Sequence, residues 1–176
     1  MRYLIVSDIH GIVENLPVIK EKAEDCDKLI VLGDIYYADY YHRLSPNYNP
    51  EYVEGFLKQE KNKIICVRGN CDSGEVVKNS TFPIHEELVQ ITNTPLEVFA
   101  THGHIYNEKN WDKENTILLF GHYHIPFIQK KNNCIFVNPG SISLPKGAEK
   151  PSYAILTDQD ITIYDIDGMI LNQIQI

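Results

Sequence analysis

Three short apolar runs in the first half of the chain each lead into a glycine beside a polar, ligand-type side chain. Residues 3–6 lead into Ser7-Asp8-Ile9-His10-Gly11, residues 28–32 into Gly33-Asp34, and residues 63–67 into Arg68-Gly69-Asn70. Such runs predict buried strands, and glycine permits a sharp turn after each one. Taken alone, Asp8 is equally well explained as a helix N-cap beside an incidental histidine. The recurrence favours ligands at the carboxyl ends of strands, where open α/β sheets bind them.

The segments between these runs indicate parallel βαβ units, and the end of the chain indicates an antiparallel meander. Apolar residues three or four positions apart predict helices over 13–24 and over 50–59, which alternate with the strands. Further strands are predicted over 87–91, 96–100, 116–120, 127–130 and 134–137, with a turn at 92–95 and one helical turn near 112–115. Residues 153–156, 161–164 and 169–171 are separated by turn residues and predict a meander.

Residues 35–50 fit neither a strand nor a helix period and are rich in tyrosine. A long loop at the ligand-binding edge serves either as a lid or substrate wall, or as a solvated connection whose tyrosines pack on the body. His42 and Arg43 lie at its centre, and the same alternatives apply to them. They either contact a substrate phosphate or stay solvated, and we assign them to substrate binding as a hypothesis.

Composition restricts the classes of partner. The 176 residues are enough for one layered domain, which we predict over 1–176. A net charge of −8 argues against non-specific binding to nucleic acid or to an anionic membrane. The four cysteines form no C-x-x-C pair, and no run resembles a signal peptide or a membrane span. We therefore expect free thiols and a cytoplasmic protein.

Later strand ends add imidazoles to the carboxylates and the amide of the first half. The collected side chains are Asp8, His10, Asp34, Asn70, His102, His122 and His124. Three oxygen donors with four imidazoles suit Mn, Fe, Zn, Co or Ni better than calcium. Seven donors are too many for one such ion and fit two, with one carboxylate shared. Two divalent ions can clamp both the attacking and the leaving oxygen in a phosphoryl displacement.

Five blocks of the chain resemble those of the calcineurin-like metallophosphoesterases, and most closely those of the small bacterial phosphodiesterases of the YfcE type. The blocks are Asp8-Ile9-His10, Gly33-Asp34, Gly69-Asn70-Cys71-Asp72, Thr101-His102-Gly103-His104 and Gly121-His122-Tyr123-His124, with Asn138-Pro139-Gly140-Ser141 after them. The resemblance implies a four-layer α/β/β/α sandwich of two mixed sheets with a dimetal site at one edge. It also implies a phosphodiesterase in which a metal-bridging hydroxide attacks in line.

The resemblance also implies a role for each donor. Asp8, His10 and His124 would hold one metal, Asn70, His102 and His122 the other, and Asp34 would bridge them. Asn70, Cys71 and His102 are the implied catalytic residues, and manganese is our first choice of metal. The substrate would be a small phosphodiester, and the chain is expected to form a homo-oligomer. His104 either faces substrate or bonds a loop carbonyl, and Ser141 is interpreted as part of a structural turn.

Cys71 departs from the wider superfamily, in which many members have histidine at this position. A histidine there can protonate the leaving oxygen, whereas a thiol is a weak donor. We therefore predict activity on aryl or otherwise activated diesters and weak activity on alkyl monoesters. Two alternatives stay open, namely a phosphomonoesterase and a non-catalytic interaction scaffold like the retromer subunit of similar fold.

Overall fold

The computed structural model describes residues 1–37, 39–92, 94, 96–147 and 149–176. Asn93 and Pro95 of the predicted turn lie outside the described residues, as does Ala38 of the predicted loop. The strands of the described part are β1 (Arg2–Val6), β2 (Lys28–Val31), β3 (Ile64–Val67), β4 (Ile84–His85), β5 (Leu88–Ile91), β6 (Glu97–Thr101), β7 (Thr116–Leu119), β8 (Pro126–Lys131), β9 (Cys134–Pro139), β10 (Ser152–Thr157), β11 (Asp160–Asp165) and β12 (Ile170–Gln175). Its helices are α1 (Leu16–Glu24), α2 (Tyr40–Arg43), α3 (Pro50–Gln59) and α4 (Gly74–Asn79).

The strands form two mixed sheets, which confirms the predicted mixed α/β class. The first sheet has seven strands in the order β12-β11-β10-β1-β2-β3-β4, and the second has five in the order β5-β6-β7-β9-β8. In the first sheet β1, β2 and β3 pair in parallel, whereas β10, β11 and β12 form the predicted antiparallel meander. In the second sheet β6, β7 and β9 are parallel. Parallel strands end at the same edge of a sheet, so this topology gathers several strand ends there.

Apolar side chains pack in three layers around the two sheets. Helices α1 and α3 cover the outer face of the first sheet, with Leu16, Ile19 and Phe56 packed against β1 and β2. A second cluster lies between the sheets and joins residues such as Ile5 and Val98. On the outer face of the second sheet, the connection between β6 and β7 packs Trp111 against Phe99, and no helix covers this face within the described segments. Of the two outer helical layers that the resemblance implies, the described residues therefore show the one on the first sheet.

Helix α1 begins at Leu16, three residues later than the predicted start at Val13. Proline lacks the backbone donor and fits only the first turn of a helix, so Pro17 sets this start. The amide of Val13 instead donates to the carbonyl of Asn47 at 2.9 Å, which ties the loop to the body. Helix α3 begins at Pro50 as predicted, with Asn49 as its N-cap.

Three local predictions differ from the structure. The helical turn predicted near 112–115 is wrong, because the turn forms at 108–110, where Asn107 accepts the amide of Trp111 at 3.1 Å. The loop 35–50 contains the short helix α2, which Asp39 caps. Helix α4 and strand β4 were not predicted; α4 buries no residue and therefore gives no apolar period.

All four cysteines are free thiols, as expected from their spacing. No helix within the described ranges is long and apolar enough to span a bilayer.

Candidate metal centre

The candidate ligands lie where the strand ends of both sheets meet. Backbone hydrogen bonds join these ends directly: the amide of Asp8 donates to Gly33 at 3.1 Å, and that of His10 donates to Asp34 at 2.9 Å. The amide of Gly121 donates to the carbonyl of His102 at 2.8 Å within the second sheet. Across the sheets, the amide of His122 donates to Asp8 Oδ2 at 3.0 Å. The site is therefore built on backbone contacts between segments far apart in sequence.

Five of the seven candidate ligands have a left-handed backbone. Their φ angles are 56° for Asp8, 52° for His10, 52° for Asp34, 67° for His122 and 60° for His124. Residues with a Cβ avoid this region, at a cost of about 1–2 kcal/mol each. Such conformations cluster at functional sites, where the surrounding structure enforces them. The concentration of strain at the ligand positions is thus an independent mark of a functional site.

Two glycines allow the strand ends to approach closely enough. A Cβ at Gly69 would overlap the carboxylate and the amide of Asp34, and a Cβ at Gly121 would overlap Ser7 Oγ. The glycine after each strand, noted in the sequence, therefore makes room for the neighbouring ligand segment.

Three imidazoles are fixed by backbone carbonyls. The pairs are His10 Nδ1 with Tyr37 O at 2.5 Å, His102 Nδ1 with Leu32 O at 2.6 Å, and His124 Nδ1 with Leu144 O at 2.5 Å. A carbonyl only accepts, so each Nδ1 carries the proton and donates. In the neutral ring the Nε2 lone pair then faces the centre. This carbonyl-to-imidazole arrangement is the one that orients metal-binding histidines.

The inner atoms converge without satisfying one another. His124 Nε2 lies 3.4 Å from His10 Nε2 and 3.1 Å from Asp8 Oδ1. Asp8 Oδ1 is fully buried and accepts no hydrogen bond from any described residue. Facing lone pairs and an orphaned carboxylate oxygen are unfavourable unless a cation lies between them. The donor set therefore fits a divalent transition metal.

Two overlapping groups have ligand atoms within 4.8 Å of one another: Asp8, His10 and His124, and Asp8, Asp34 and His102. Asp8 belongs to both groups. Asp34 Oδ2 lies 3.9 Å from His10 Nε2 and 3.4 Å from His102 Nε2, so it too stands between the groups. The shared carboxylate of Asp8 and the intermediate position of Asp34 give the site the form of two adjoining cation positions.

The carboxylates stay ionised despite their burial. Burial raises the pKa of Asp8, but the imidazoles of His124 and His102 lower it more, so the net pKa lies below the ordinary value. Burial also raises the pKa of Asp34, and its interactions with His102 and with the amide of Cys71, at 2.8 Å, lower it well below the ordinary range. Both side chains are therefore competent ligands at neutral pH.

The imidazoles fall into two classes. Burial lowers the pKa of His102 and of His124, but the carboxylates of Asp34 and Asp8 outweigh it and leave both pKa values raised. The pKa of His122 is lowered by burial and then by the charge of His102. Histidines beside the carboxylates therefore bind a proton more tightly than an ordinary imidazole does, and a metal ion would compete with that proton.

The remaining predicted donors surround His102. Asn70 Oδ1 lies 3.0 Å from His102 Nε2, and the ring of His122 is centred 5.2 Å from that of His102. His104 is exposed at the rim, with its ring 5.4 Å from that of His102, and its predicted contact with substrate stays a prediction. All seven predicted ligands thus lie at one edge.

The two residues predicted from the loop lie outside the inner group. His42 Nδ1 is 2.8 Å from Asp39 Oδ1, and the guanidinium of Arg43 lies 5.9 Å from the centre of the Tyr37 ring. Their proposed contact with a substrate phosphate stays a prediction.

Cys71 is half-buried beside the carboxylates. Burial, followed by the charge of Asp34, raises the pKa of its thiol to about 12. The amide group of Asn70 donates to its sulfur at 3.2 Å. A thiol with this pKa keeps its proton and is a poor general acid.

Asp72 and two serines support the site, and no role was predicted for Asp72. Its carboxylate accepts the amides of Asp34, Ile35 and Gly69, each at 2.9 Å. Ser141 Oγ donates to the carbonyl of Asp8 at 2.8 Å and accepts the amide of Leu144, which agrees with its interpretation as part of a structural turn. Ser143 Oγ also donates to the Asp8 carbonyl, at 2.9 Å. In the sequence, the position of Asp72 directly after Asn70-Cys71 was the signal that could have indicated its role in the site.

The chain is similar to known phosphoesterases. The family profile described as "Calcineurin-like phosphoesterase superfamily domain" matches residues 1–160. The chain is 32% identical to "Phosphodiesterase YfcE" of Escherichia coli strain K12, over 100% of this chain and 98% of the relative. It is 28% identical to "Probable metallophosphoesterase YsnB" of Bacillus subtilis strain 168, over 99% and 97% of the two chains.

Two solved structures share the fold. That of Yfce, a phosphoesterase from E. coli, matches with a TM-score of 0.91 at 31% identity and covers 99% of this chain and 98% of that one. Vps29 from Entamoeba histolytica, solved with Zn²⁺, matches with a TM-score of 0.63 at 17% identity over 99% of both chains, a likeness of fold alone. The profile match over most of the sequence and the full-length identity to YfcE show that this chain belongs to the calcineurin-like phosphoesterase superfamily.

Proposed function

We propose that this chain is a metal-dependent phosphoesterase that hydrolyses small phosphodiesters. The observation that carries the proposal is the convergence of inward-facing imidazole nitrogens on two ionised carboxylates, one of which has an orphaned oxygen. The full-length similarity to a protein named as a phosphodiesterase supports the diester rather than the monoester as substrate. The scaffold alternative predicts a site that lacks donors, whereas all seven positions carry them.

We assign the donors to two cations as the resemblance to the family implies, and the described contacts support the assignment. Asp8, His10 and His124 would hold the first, and their ligand atoms lie within 4.8 Å of one another. Asn70, His102 and His122 would hold the second, and Asp34, which stands between His10 and His102, would bridge the two. Two bound divalent ions would lower the pKa of a coordinated water and neutralise charge on the phosphate oxygens.

The chain's own residues then determine which kind of leaving group the site can release. Cys71 holds its proton with a pKa of about 12, so it does not protonate a departing alkoxide efficiently. The leaving oxygen must therefore carry its own negative charge, as an aryl oxide does. We propose that aryl and otherwise activated diesters are the preferred substrates.

The test is hydrolysis of bis(4-nitrophenyl) phosphate by protein loaded in turn with Mn, Ni, Co, Zn and Mg. Asp34→Asn keeps the size of the side chain but removes the charge between the cation positions, and we expect it to lose metal and activity together. Asp112→Asn, an exposed acid in the connection between β6 and β7, makes the same chemical change away from the site and should behave as wild type. Hydrolysis that survives in Asp34→Asn would contradict the proposed site.

Four further points complete the proposal. Manganese comes first in the metal panel because mixed carboxylate and imidazole donors suit it. A reducing, cytoplasmic setting is supported by four free thiols. One domain over 1–176 is supported by the apolar cluster that both sheets share. Assembly into a homo-oligomer is tested by light scattering.

A further inference from the structure

A cavity of ≈ 350 Å³ opens beside the first cation position. Its walls include His10, Tyr37, Cys71, His124, Leu144 and Lys146. This volume lies at the lower end of the range for small-molecule sites, about 300–1,000 Å³. Because His10 and His124 form part of the wall, a group in the cavity lies next to the proposed cation ligands.

The apolar wall is attached to the imidazoles through its backbone. The carbonyl of Tyr37 accepts His10 Nδ1 and the carbonyl of Leu144 accepts His124 Nδ1, both at 2.5 Å. The same two residues line the cavity. A change of either side chain therefore alters the cavity and leaves the carbonyl that orients the imidazole.

Tyr37 provides a flat surface at the mouth of the cavity. Tyr37 is 51% exposed, and the guanidinium of Arg43 lies 5.9 Å from the centre of its ring. Leu144 and Pro145 are half-buried on the wall, and the amide of Lys146 donates to the carbonyl of His124 at 3.1 Å. The cavity wall also carries charged and polar groups of both signs, with the exposed Lys146 as a cation and Asp39 beside His42 as an anion.

A second cleft of ≈ 350 Å³ lies on the other side, beside Asn70 and His104, and is polar. Its wall carries Arg68, which is paired with Glu86 at 3.0 Å, and the neighbouring Glu87. The ligand cluster therefore has an aromatic and apolar cavity on one side and a polar cleft on the other. A phosphodiester has two ester groups, and these two spaces differ in the chemistry that they accept.

We propose that the cavity lined by Tyr37 and Leu144 is the subsite for a flat aromatic ester group, with Tyr37 as its stacking residue. The second ester group lies in the polar cleft. The inference rests on the proposed function and adds the chemical class of one substituent: an aryl group or a nucleobase-like ring. A phosphate between the two spaces would meet the cation ligands, which form the wall that both spaces adjoin.

The experiment uses the metal-loaded full chain and one aromatic diester, 4-nitrophenyl methyl phosphate, with dimethyl phosphate as a competitive inhibitor that has no ring. Removal of one aromatic stack in Tyr37→Ala should raise KM for the aromatic diester about 3- to 10-fold. We expect kcat to change less than the KM does, and the inhibition constant of dimethyl phosphate to stay at the wild-type value.

Two further variants make the result specific. Tyr37→Phe keeps the ring and should restore the wild-type KM. Tyr41→Ala removes a tyrosine of the same segment that is 81% exposed and is absent from the cavity wall, so its KM should match wild type. An unchanged KM in Tyr37→Ala overturns the subsite, as does an equal loss of affinity for dimethyl phosphate.

Failure of the proposed function is distinguishable from failure of the subsite. If the wild type hydrolyses no phosphodiester with any metal of the panel, the proposed function fails. Calorimetric binding of 4-nitrophenyl methyl phosphate still tests the cavity in that case. Weaker binding to Tyr37→Ala than to wild type and to Tyr41→Ala supports the subsite, and equal binding to all three proteins overturns it.

Discussion

Replacement of Asp72 with asparagine tests whether the ligand loops are held in place by a single buried carboxylate. Asp72 is 1% exposed and accepts three backbone amides, from Asp34, Ile35 and Gly69. One oxygen, Oδ2, accepts two of these amides, and Oδ1 accepts the third. Asparagine has one oxygen and one NH₂ group, so at least one amide must face another donor.

The magnitude follows from this hydrogen-bond count. The best orientation keeps the oxygen on the amides of Asp34 and Gly69 and leaves the Ile35 amide unsatisfied, at a cost of about 1–3 kcal/mol. The two retained bonds lose the charge of their acceptor and weaken. Burial raises the pKa of Asp72, and the neutral side chain avoids that burial cost, which offsets part of the loss. We expect a net loss of about 2–3 kcal/mol, or roughly 4–12 °C in Tm for a chain of this size.

The effect on metal binding separates positioning from general stability. Asp72 acts through Asp34, whose amide it fixes, and loss of such an outer partner typically costs about 10–100-fold in metal affinity. Melting in the presence of a chelator measures the stability of the metal-free chain, and titration with Mn²⁺ measures affinity. Asp160→Asn is the control: Asp160 accepts from Thr162 at 3.0 Å and from Gln173 at 2.6 Å at the opposite edge of the sheet. It should lower Tm and leave Mn²⁺ affinity unchanged.

Two results would refute the reasoning about Asp72. An Asp72→Asn variant with the wild-type Tm would mean that the three amides do not depend on its charge. A variant that melts early but binds Mn²⁺ as tightly as Asp160→Asn would make the residue purely structural.

Three further predictions concern protonation of the leaving group, the glycines at the strand ends and the pH dependence of metal binding. Cys71→His should raise kcat on diesters with poor leaving groups by about 10²-fold or more relative to kcat on the 4-nitrophenyl ester. An unchanged ratio of these two kcat values would contradict the proposal that the site lacks an efficient proton donor. Gly121→Ala should lose about 1–3 kcal/mol through overlap at the strand ends and bind metal more weakly, whereas Gly55→Ala, in open space on α3, should gain about 0.5–1 kcal/mol in thermal melts. Because the pKa values of His102 and His124 are raised in the metal-free chain, metal binding must release their protons, so affinity measured between about pH 8 and about pH 5 should fall with acidification. An affinity independent of pH would exclude these two residues as ligands.

The strand ends could be predicted because their signals are local. A run such as residues 28–32 followed by Gly33-Asp34 contains the strand, its end and the ligand in seven residues. Parallel pairing then brings separate ends to one edge with no further information, as β1 and β2 show. Helix α3 was predicted for the same reason, since its cap and apolar period are both local.

Other parts of the molecule depend on tertiary contacts and left no local signal. Helix α4 buries no residue, and β4 is two residues long, so neither has a period to detect. The carbonyls of Tyr37 and Leu144, which orient two imidazoles, are backbone atoms that every residue carries. Apolar spacing favours a start of α1 at Val13, but the restriction of proline to the first helical turn places the start at Leu16, next to Pro17. Sequence therefore indicated which side chains meet, and only the structure shows what holds them.

The left-handed conformations of Asp8, His10 and Asp34 show how tertiary contacts override local backbone propensity. Propensity alone disfavours this backbone, so the costs must be offset by the backbone bonds that tie these residues to each other, from Asp8 to Gly33 and from His10 to Asp34. Those bonds join backbone atoms and use none of the ligand atoms, so they position the donors as part of the fold. The facing imidazole nitrogens and the buried Asp8 Oδ1 carry a separate electrostatic cost, which a bound cation would remove. Because backbone bonds position the donors, we expect a cation to bind with little reorganisation of the chain. Little of the binding free energy is then lost to ordering the ligands, and most of it comes from neutralising their charge.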